Sequence, residues 1–166
     1  MSRDKALTRG AWLRGAALFG AAAVAASHAR AQDARYAVAH SDAEWHRLLG
    51  PERYAILREN GTEPPNSSPL LNERRAGTYR CAGCALALFS STAKYDSGDG
   101  WPSFTRPLPN AIRTRADYEL VEPRTEVHCR QCGGHLGHVF GDGPPPAHLR
   151  YCIDGLALVF VASGKA

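Results

Sequence analysis

The chain has 166 residues, 44% of them hydrophobic and 22% charged, with 16 Gly, 11 Pro and five Cys. That length supports one domain with a real core, and the moderate charge and hydrophobicity exclude wholesale disorder. The formal charge of +4 is concentrated at one end: residues 1–31 hold five of the 20 basic residues and one of the 16 acidic ones, leaving fifteen of each beyond them. The remainder is neutral, which removes the charge argument for a nucleic-acid partner.

In chain order, a basic start leads into an apolar stretch from Gly15 to Ala26, followed by Ala29-Arg30-Ala31, a small-x-small cleavage pattern. Residues 1–31 are therefore expected to be a cleaved export signal, with Gln32 as the new N-terminus and the periplasm as the destination. A helix of this length is too short for a bilayer core of about 30 Å, so no stable membrane anchor is expected. Thr8–Arg14 resembles a twin-arginine motif with Gly10 in place of the second Arg. That leaves the Sec and twin-arginine routes both open.

Residues 32–40 read as a linker, 41–162 as the domain and 163–166 as a tail. Ser41-Asp-Ala-Glu44 is a capping box opening a short helix with Trp45, Leu48 and Leu49 on one face. Gly50-Pro51 breaks it and starts a second helix that ends near Gly61. Thr62 to Asn72 is Pro/Ser-rich and reads as a surface loop. From Gly77 onward come short strand-like runs: 78–80, 87–89, 111–114, 118–121, 125–129, 136–140 and 156–162. The texture predicts a mainly β, antiparallel domain with short helices at its N-terminal end.

Cys81-Ala-Gly-Cys84 and Cys129-Arg-Gln-Cys132 are two C-x-x-C knuckles, each after a strand-like run and each followed by similarly spaced apolar residues. Two such knuckles supply the four thiolates of a tetrahedral structural zinc site and would close a long loop. A redox pair or disulfides in an oxidising compartment are the competing readings, with zinc preferred. One cysteine is left over, Cys152. A buried structural thiol is the bland account of it, but the polar neighbours Arg150 and Asp154 favour a reactive one. His135 and His138, just beyond the second knuckle, are candidates for acid–base work.

Lys94–Phe104 (KYDSGDGWPSF), Arg124–Cys129 (RTEVHC), His135–Phe140 (HLGHVF), Asp142–Pro146 and Leu149–Ile153 (LRYCI) together resemble the B-type methionine-R-sulfoxide reductases, from about Ser41 to Phe160. The resemblance implies a β-tent of two twisted antiparallel sheets with one structural Zn2+ held by Cys81, Cys84, Cys129 and Cys132. It implies Cys152 as the nucleophile that attacks the sulfoxide sulfur and becomes a sulfenic acid. It also implies that His135 and His138 orient and protonate the oxygen, and that Trp101 packs against the substrate methyl. The partners implied are proteins or peptides oxidised at methionine, and a thioredoxin-like or other thiol reductant. Nothing in the sequence demands more than a monomer.

Two positions depart from the family. Asp99 stands where many relatives carry a resolving cysteine, so a one-cysteine cycle completed by an external thiol is expected. Asp154 stands where Asn is usual. A carboxylate two residues from Cys152 is expected to raise the thiol pKa and depress activity near neutral pH, which brings Asp154 into the candidate catalytic set. The alternative function is a zinc-stabilised β-tent that binds with little or no turnover.

Overall fold

The computed structural model describes residues 36–118, 120 and 122–164, all within the compact unit Asp33–Ala166. The proposed export signal lies outside the described residues, as does residue 32, its expected cleavage product's first position. Helix α1 (Asp42–Glu59) is two helical segments joined at a kink, where Gly50 takes φ +68° ahead of Pro51. A left-handed residue followed by proline stops one helix and starts the next. The expected capping box is present: the Ser41 side chain accepts from the Glu44 amide, and the Glu44 carboxylate accepts from the Ser41 amide at 2.8 Å. The helix ends at Asn60, in the left-handed conformation, with its amide donating to Ala55.

Among the described residues nine strands follow: β1 (Gly77–Cys81), β2 (Ala87–Ser90), β3 (Lys94–Tyr95), β4 (Ser103–Phe104), β5 (Ile112–Asp117), β6 (Arg124–Cys129), β7 (His135–Phe140), β8 (Arg150–Ile153) and β9 (Leu158–Ala162). They form two sheets, ordered β2-β1-β9 and β3-β4-β8-β7-β6-β5. Every pairing is antiparallel. This is the expected β-tent architecture. Its core is aromatic: Phe89 stacks on Phe104 at 4.4 Å between ring centroids, and Tyr79 meets Phe104 at 5.0 Å. Trp45 and Leu57 carry α1 into the same cluster.

Three strand expectations need correction. Of the run 118–121, the described residues Tyr118 and Leu120 lie outside any strand: β5 stops at Asp117, and both are exposed. Their apolar side chains imitate strand texture without a partner to bury them. In the opposite sense, β3, β4 and β8 went unrecognised. They are short, and Ser103 and Cys152 sit where apolar residues would signal a buried strand. Finally, β5 runs from Ile112 to Asp117 rather than from 111 to 114, because Arg113, Arg115 and Asp117 pair fully with β6.

One rung of the larger sheet positions the site. Tyr95 pairs with Ser103, Ser103 with Cys152, Cys152 with His138, His138 with Glu126 and Glu126 with Arg115. Directly paired residues project from the same face of a sheet. The rung therefore carries a thiol, an imidazole and their charged neighbours across six strands on one side. Gly137, beside His138, is needed where β7 meets β8: a Cβ there would lie 2.1 Å from the Cys152 carbonyl oxygen, and φ is +141°.

Candidate active site and metal centre

The two cysteine knuckles fold alike. After the first, the Ala85 amide donates to Cys81 and the Cys81 amide to Leu86, both at 2.8 Å; after the second, Gly133 donates to Cys129 and Cys129 to Gly134, both at 2.9 Å. Ala85 and Gly133, at matching positions, both take positive φ. The internal repeat suggested by the sequence is thus a repeat of backbone hydrogen bonds.

The knuckles bring all four sulfurs within 4.8 Å of one another. Cys81 and Cys132 approach to 3.6 Å and Cys84 and Cys129 to 3.5 Å. These separations are far too long for a disulfide at about 2.05 Å. They match the edge of a tetrahedron with metal–sulfur bonds of about 2.3 Å, which is about 3.8 Å. The donor set fits a structural Zn2+, with all four positions taken by protein sulfur. Arg58 ties α1 to this centre by donating to the Cys132 carbonyl at 3.1 Å.

A separate cavity of about 380 Å³ holds the other predicted residues: Cys152, His135, His138, Trp101 and Asp154 all line it. A larger groove of about 560 Å³ between the 63–75 segment and β9 has no cysteine or histidine among its lining residues. The predicted site residues gather in the smaller cavity.

His135 and His138 are three apart, which on a regular strand would put them on opposite faces. The β6–β7 register shifts between Val127 and His128, so that His128 pairs with His135 while Val127 pairs with Gly137. This bulge restores both imidazoles to one face, 5.4 Å apart.

Each imidazole is backed by a carboxylate and an arginine. His135 Nδ1 donates to Glu126 at 2.9 Å, and Arg115 donates to the other Glu126 oxygen. His138 Nε2 donates to Asp117 at 2.7 Å, and Arg124 donates to the same oxygen at 2.7 Å. Burial raises the Glu126 carboxyl, but the hydrogen bonds from His135 and Arg115 outweigh it and hold the group at about 2. Burial pushes the His138 pKa down, partly opposed by the hydrogen bond to Asp117. These carboxylates and arginines were missed in the sequence. The available signal was the period-2 pattern Arg115-x-Asp117 facing Arg124-x-Glu126.

Trp101 is anchored at the cavity wall by its indole N–H, which donates to the Glu63 carbonyl at 3.1 Å. The same segment is stapled to the chain after β8. Asp154 Oδ1 accepts from the Thr62 hydroxyl at 2.8 Å and the Glu63 amide at 2.9 Å, while the Glu63 carboxylate accepts from the amides of Gly155 and Leu156. Burial raises the Asp154 carboxyl.

The carboxylate that faces the thiol is Asp99. Cys152 Sγ donates to Asp99 Oδ2 at 3.2 Å. Burial first, then the charge of Asp99 and this hydrogen bond, push the Cys152 thiol up to about 12; Asp154 is a lesser contributor. Asp154 raises the thiol in the expected direction, but by less than burial and Asp99 do. The reason is directional: Asp154 Oδ1 accepts from the Thr62 hydroxyl and the Glu63 amide, whereas Asp99, on the β3–β4 connection, accepts from the thiol itself.

Comparison with known proteins agrees with this geometry. The family model described as SelR domain matches residues 49–162. A peptide methionine sulfoxide reductase MsrB of Agrobacterium fabrum is 52% identical over 124 residues, covering 74% of this chain and 92% of the relative. Its namesake in Bradyrhizobium diazoefficiens is 53% identical over 122 residues, covering 73% and 88% respectively. That of Leptospira interrogans is 48% identical over 126 residues, covering 75% and 96%. With the SelR match spanning most of the sequence and a four-sulfur centre set apart from a thiol–imidazole cavity, the chain belongs to the MsrB family of methionine sulfoxide reductases.

Proposed function

We propose that this chain reduces methionine-R-sulfoxide in peptides and proteins, with Cys152 as the nucleophile and an external thiol as the reductant. The observation that carries this reading is the shared rung: in a member of this family, Cys152 is paired directly with His138 at the wall of one cavity. The sulfoxide sulfur, bound against Trp101, is attacked by Cys152 Sγ. His138 and His135 supply a proton to the oxygen, which is a poor leaving group unless protonated. Their carboxylate partners fix the ring orientation and each tautomer.

The atoms balance. Oxygen passes from the substrate sulfur to Cys152, methionine is released, and the thiol becomes a sulfenic acid; substrate sulfur gains two electrons and Cys152 sulfur loses two. Two equivalents of external thiol then return Cys152 to the thiol, releasing water and one disulfide. Asp99 occupies the position opposite Cys152 Sγ, and the other four cysteines form the metal quartet, which supports a one-cysteine cycle. A structural Zn2+ would be held by Cys81, Cys84, Cys129 and Cys132, where it would tie the β1–β2 turn to the β6–β7 turn.

The test is stoichiometric R-sulfoxide followed by intact mass. A gain of one oxygen on Cys152 is expected, together with turnover supported by dithiothreitol and loss of at least 10³-fold in Cys152→Ser. A loss of two hydrogens instead would replace the one-cysteine cycle by a disulfide. The high proton affinity of Cys152 favours one second reading, a binding module without turnover. No methionine formed with dithiothreitol at pH 7 to 9 would establish it. We further read residues 1–31 as an export signal; N-terminal sequencing of periplasmic protein should begin at Gln32.

A further inference from the structure

Asp99 sits in the β3–β4 connection with both carboxylate oxygens engaged. Oδ1 accepts from the Ser97 hydroxyl at 2.6 Å and the Trp101 amide at 3.2 Å. Oδ2 accepts from the Arg150 guanidinium and from the Cys152 thiol. The Ser97 hydroxyl also lies 2.8 Å from that of Ser103, the residue paired with Cys152 across the sheet. Loop and sheet together fix the carboxylate against sulfur.

Arg150 is the cation that could offset this, but it is shared. Its guanidinium donates twice to Asp142, at 2.8 Å each, and lies 4.5 Å over the Phe140 ring. Two carboxylates therefore compete for one guanidinium beside the thiol. A carboxylate that accepts four hydrogen bonds is stabilised in its ionised form, and the Asp99 carboxyl is held below its ordinary value despite burial.

We propose that Asp99 governs the proton on Cys152, holding sulfur as a thiol at neutral pH so that nucleophilic thiolate is admitted only as the pH climbs. This rests on the reading of Cys152 as the nucleophile. It adds that the residue 53 positions away in sequence, rather than Asp154, sets the pH at which the enzyme is competent. The thiolate is the reactive form in both alkylation and sulfoxide attack, and its proton leaves to solvent. Other ionisable groups around the sulfur are Arg150 on its own strand, Tyr95 on β3 and Asp154 after β8. Across the cavity stand His135, His138 and Arg124.

The experiment measures iodoacetamide alkylation of Cys152 against pH in zinc-loaded protein, with single-turnover methionine release measured in parallel. Wild-type alkylation is expected to rise about tenfold per pH unit from 7 to 9. Asp99→Asn, which keeps the shape and removes the charge, is expected to alkylate at least fivefold faster at pH 7.5, with its titration midpoint lower. A smaller gain, or a slower reaction, overturns the proposal. Asp99→Ser serves as the second variant if the amide disturbs the loop, judged by the same fivefold threshold. A residue that only shaped the loop would leave the midpoint in place. If wild-type enzyme released no methionine, the proposed function would fail, whereas the alkylation arm would still judge Asp99 alone.

Discussion

Two parts of this molecule use cysteine in opposite ways. At the metal end, four sulfurs converge from two turns with the same backbone hydrogen-bond pattern. At the catalytic end, a single sulfur faces a carboxylate, an arginine and two imidazoles. The difference is in what neutralises a thiolate. Four thiolates are placed to share a divalent cation, which would stabilise them all and leave the quartet rigid and unavailable for chemistry. Cys152 has no such cation of its own, because Arg150 is divided between Asp99 and Asp142. Its thiol keeps its proton, and reactivity becomes a matter of pH. The two ends are joined by the β6–β7 hairpin, which carries Cys129 and Cys132 at its turn and His135 and His138 beyond it.

The largest test of this contrast is metal removal. Stripping zinc with a chelator, or Cys129→Ser, should lower the thermal midpoint by more than about 10 °C, because binding free energy at a structural site is folding free energy. Cys152→Ser should leave the midpoint within about 2 °C. Equal effects of the two substitutions would erase the distinction between the ends.

An intermediate effect belongs to Glu126, which is 3% exposed. Its carboxyl lies near 2 against an ordinary 4.5. A depressed carboxyl contributes stability that is fully present above about 4.5 and disappears as pH falls towards 2. Glu126→Gln should therefore cost on the order of 1–3 kcal/mol in urea unfolding at pH 7, with the gap to wild type closing between pH 4.5 and 2. A gap independent of pH would show that packing, not charge, holds His135 and Arg115 in place.

The smallest effect is expected from Asp154→Asn. The amide oxygen can still accept from Thr62 and from the Glu63 backbone. Removing a buried carboxyl whose pKa is raised should stabilise the fold slightly at pH 7, as read by urea unfolding. The pH–rate profile should move less than in Asp99→Asn. A larger shift would return control of the thiol to the neighbour in sequence.

Much of the site was legible in the linear chain because its signals are local or compositional. Paired C-x-x-C spacings announce a tetrahedral quartet, Ser41–Glu44 and Gly50-Pro51 announce where α1 starts and breaks, and five cysteines less four leave one to do chemistry. The ordered motifs around Trp101, His135, His138 and Cys152 marked the family. Strands β3, β4 and β8 were less legible, since two or four residues with a serine or cysteine at the key position carry little periodicity.

What the sequence determined by itself was the inventory: which sulfurs belong together, which one is spare, and which imidazoles and indole accompany it. Only the tertiary structure decided their arrangement. A bulge at His135 reverses the facing that a spacing of three would give, and strand register sets Cys152 between Ser103 and His138. A loop then delivers the Asp99 carboxylate to the thiol while the nearer Asp154 turns to the 62–63 segment. Register, bulges and loop closure depend on contacts between residues far apart in the chain, and the direction of a hydrogen bond is fixed only when those contacts have formed.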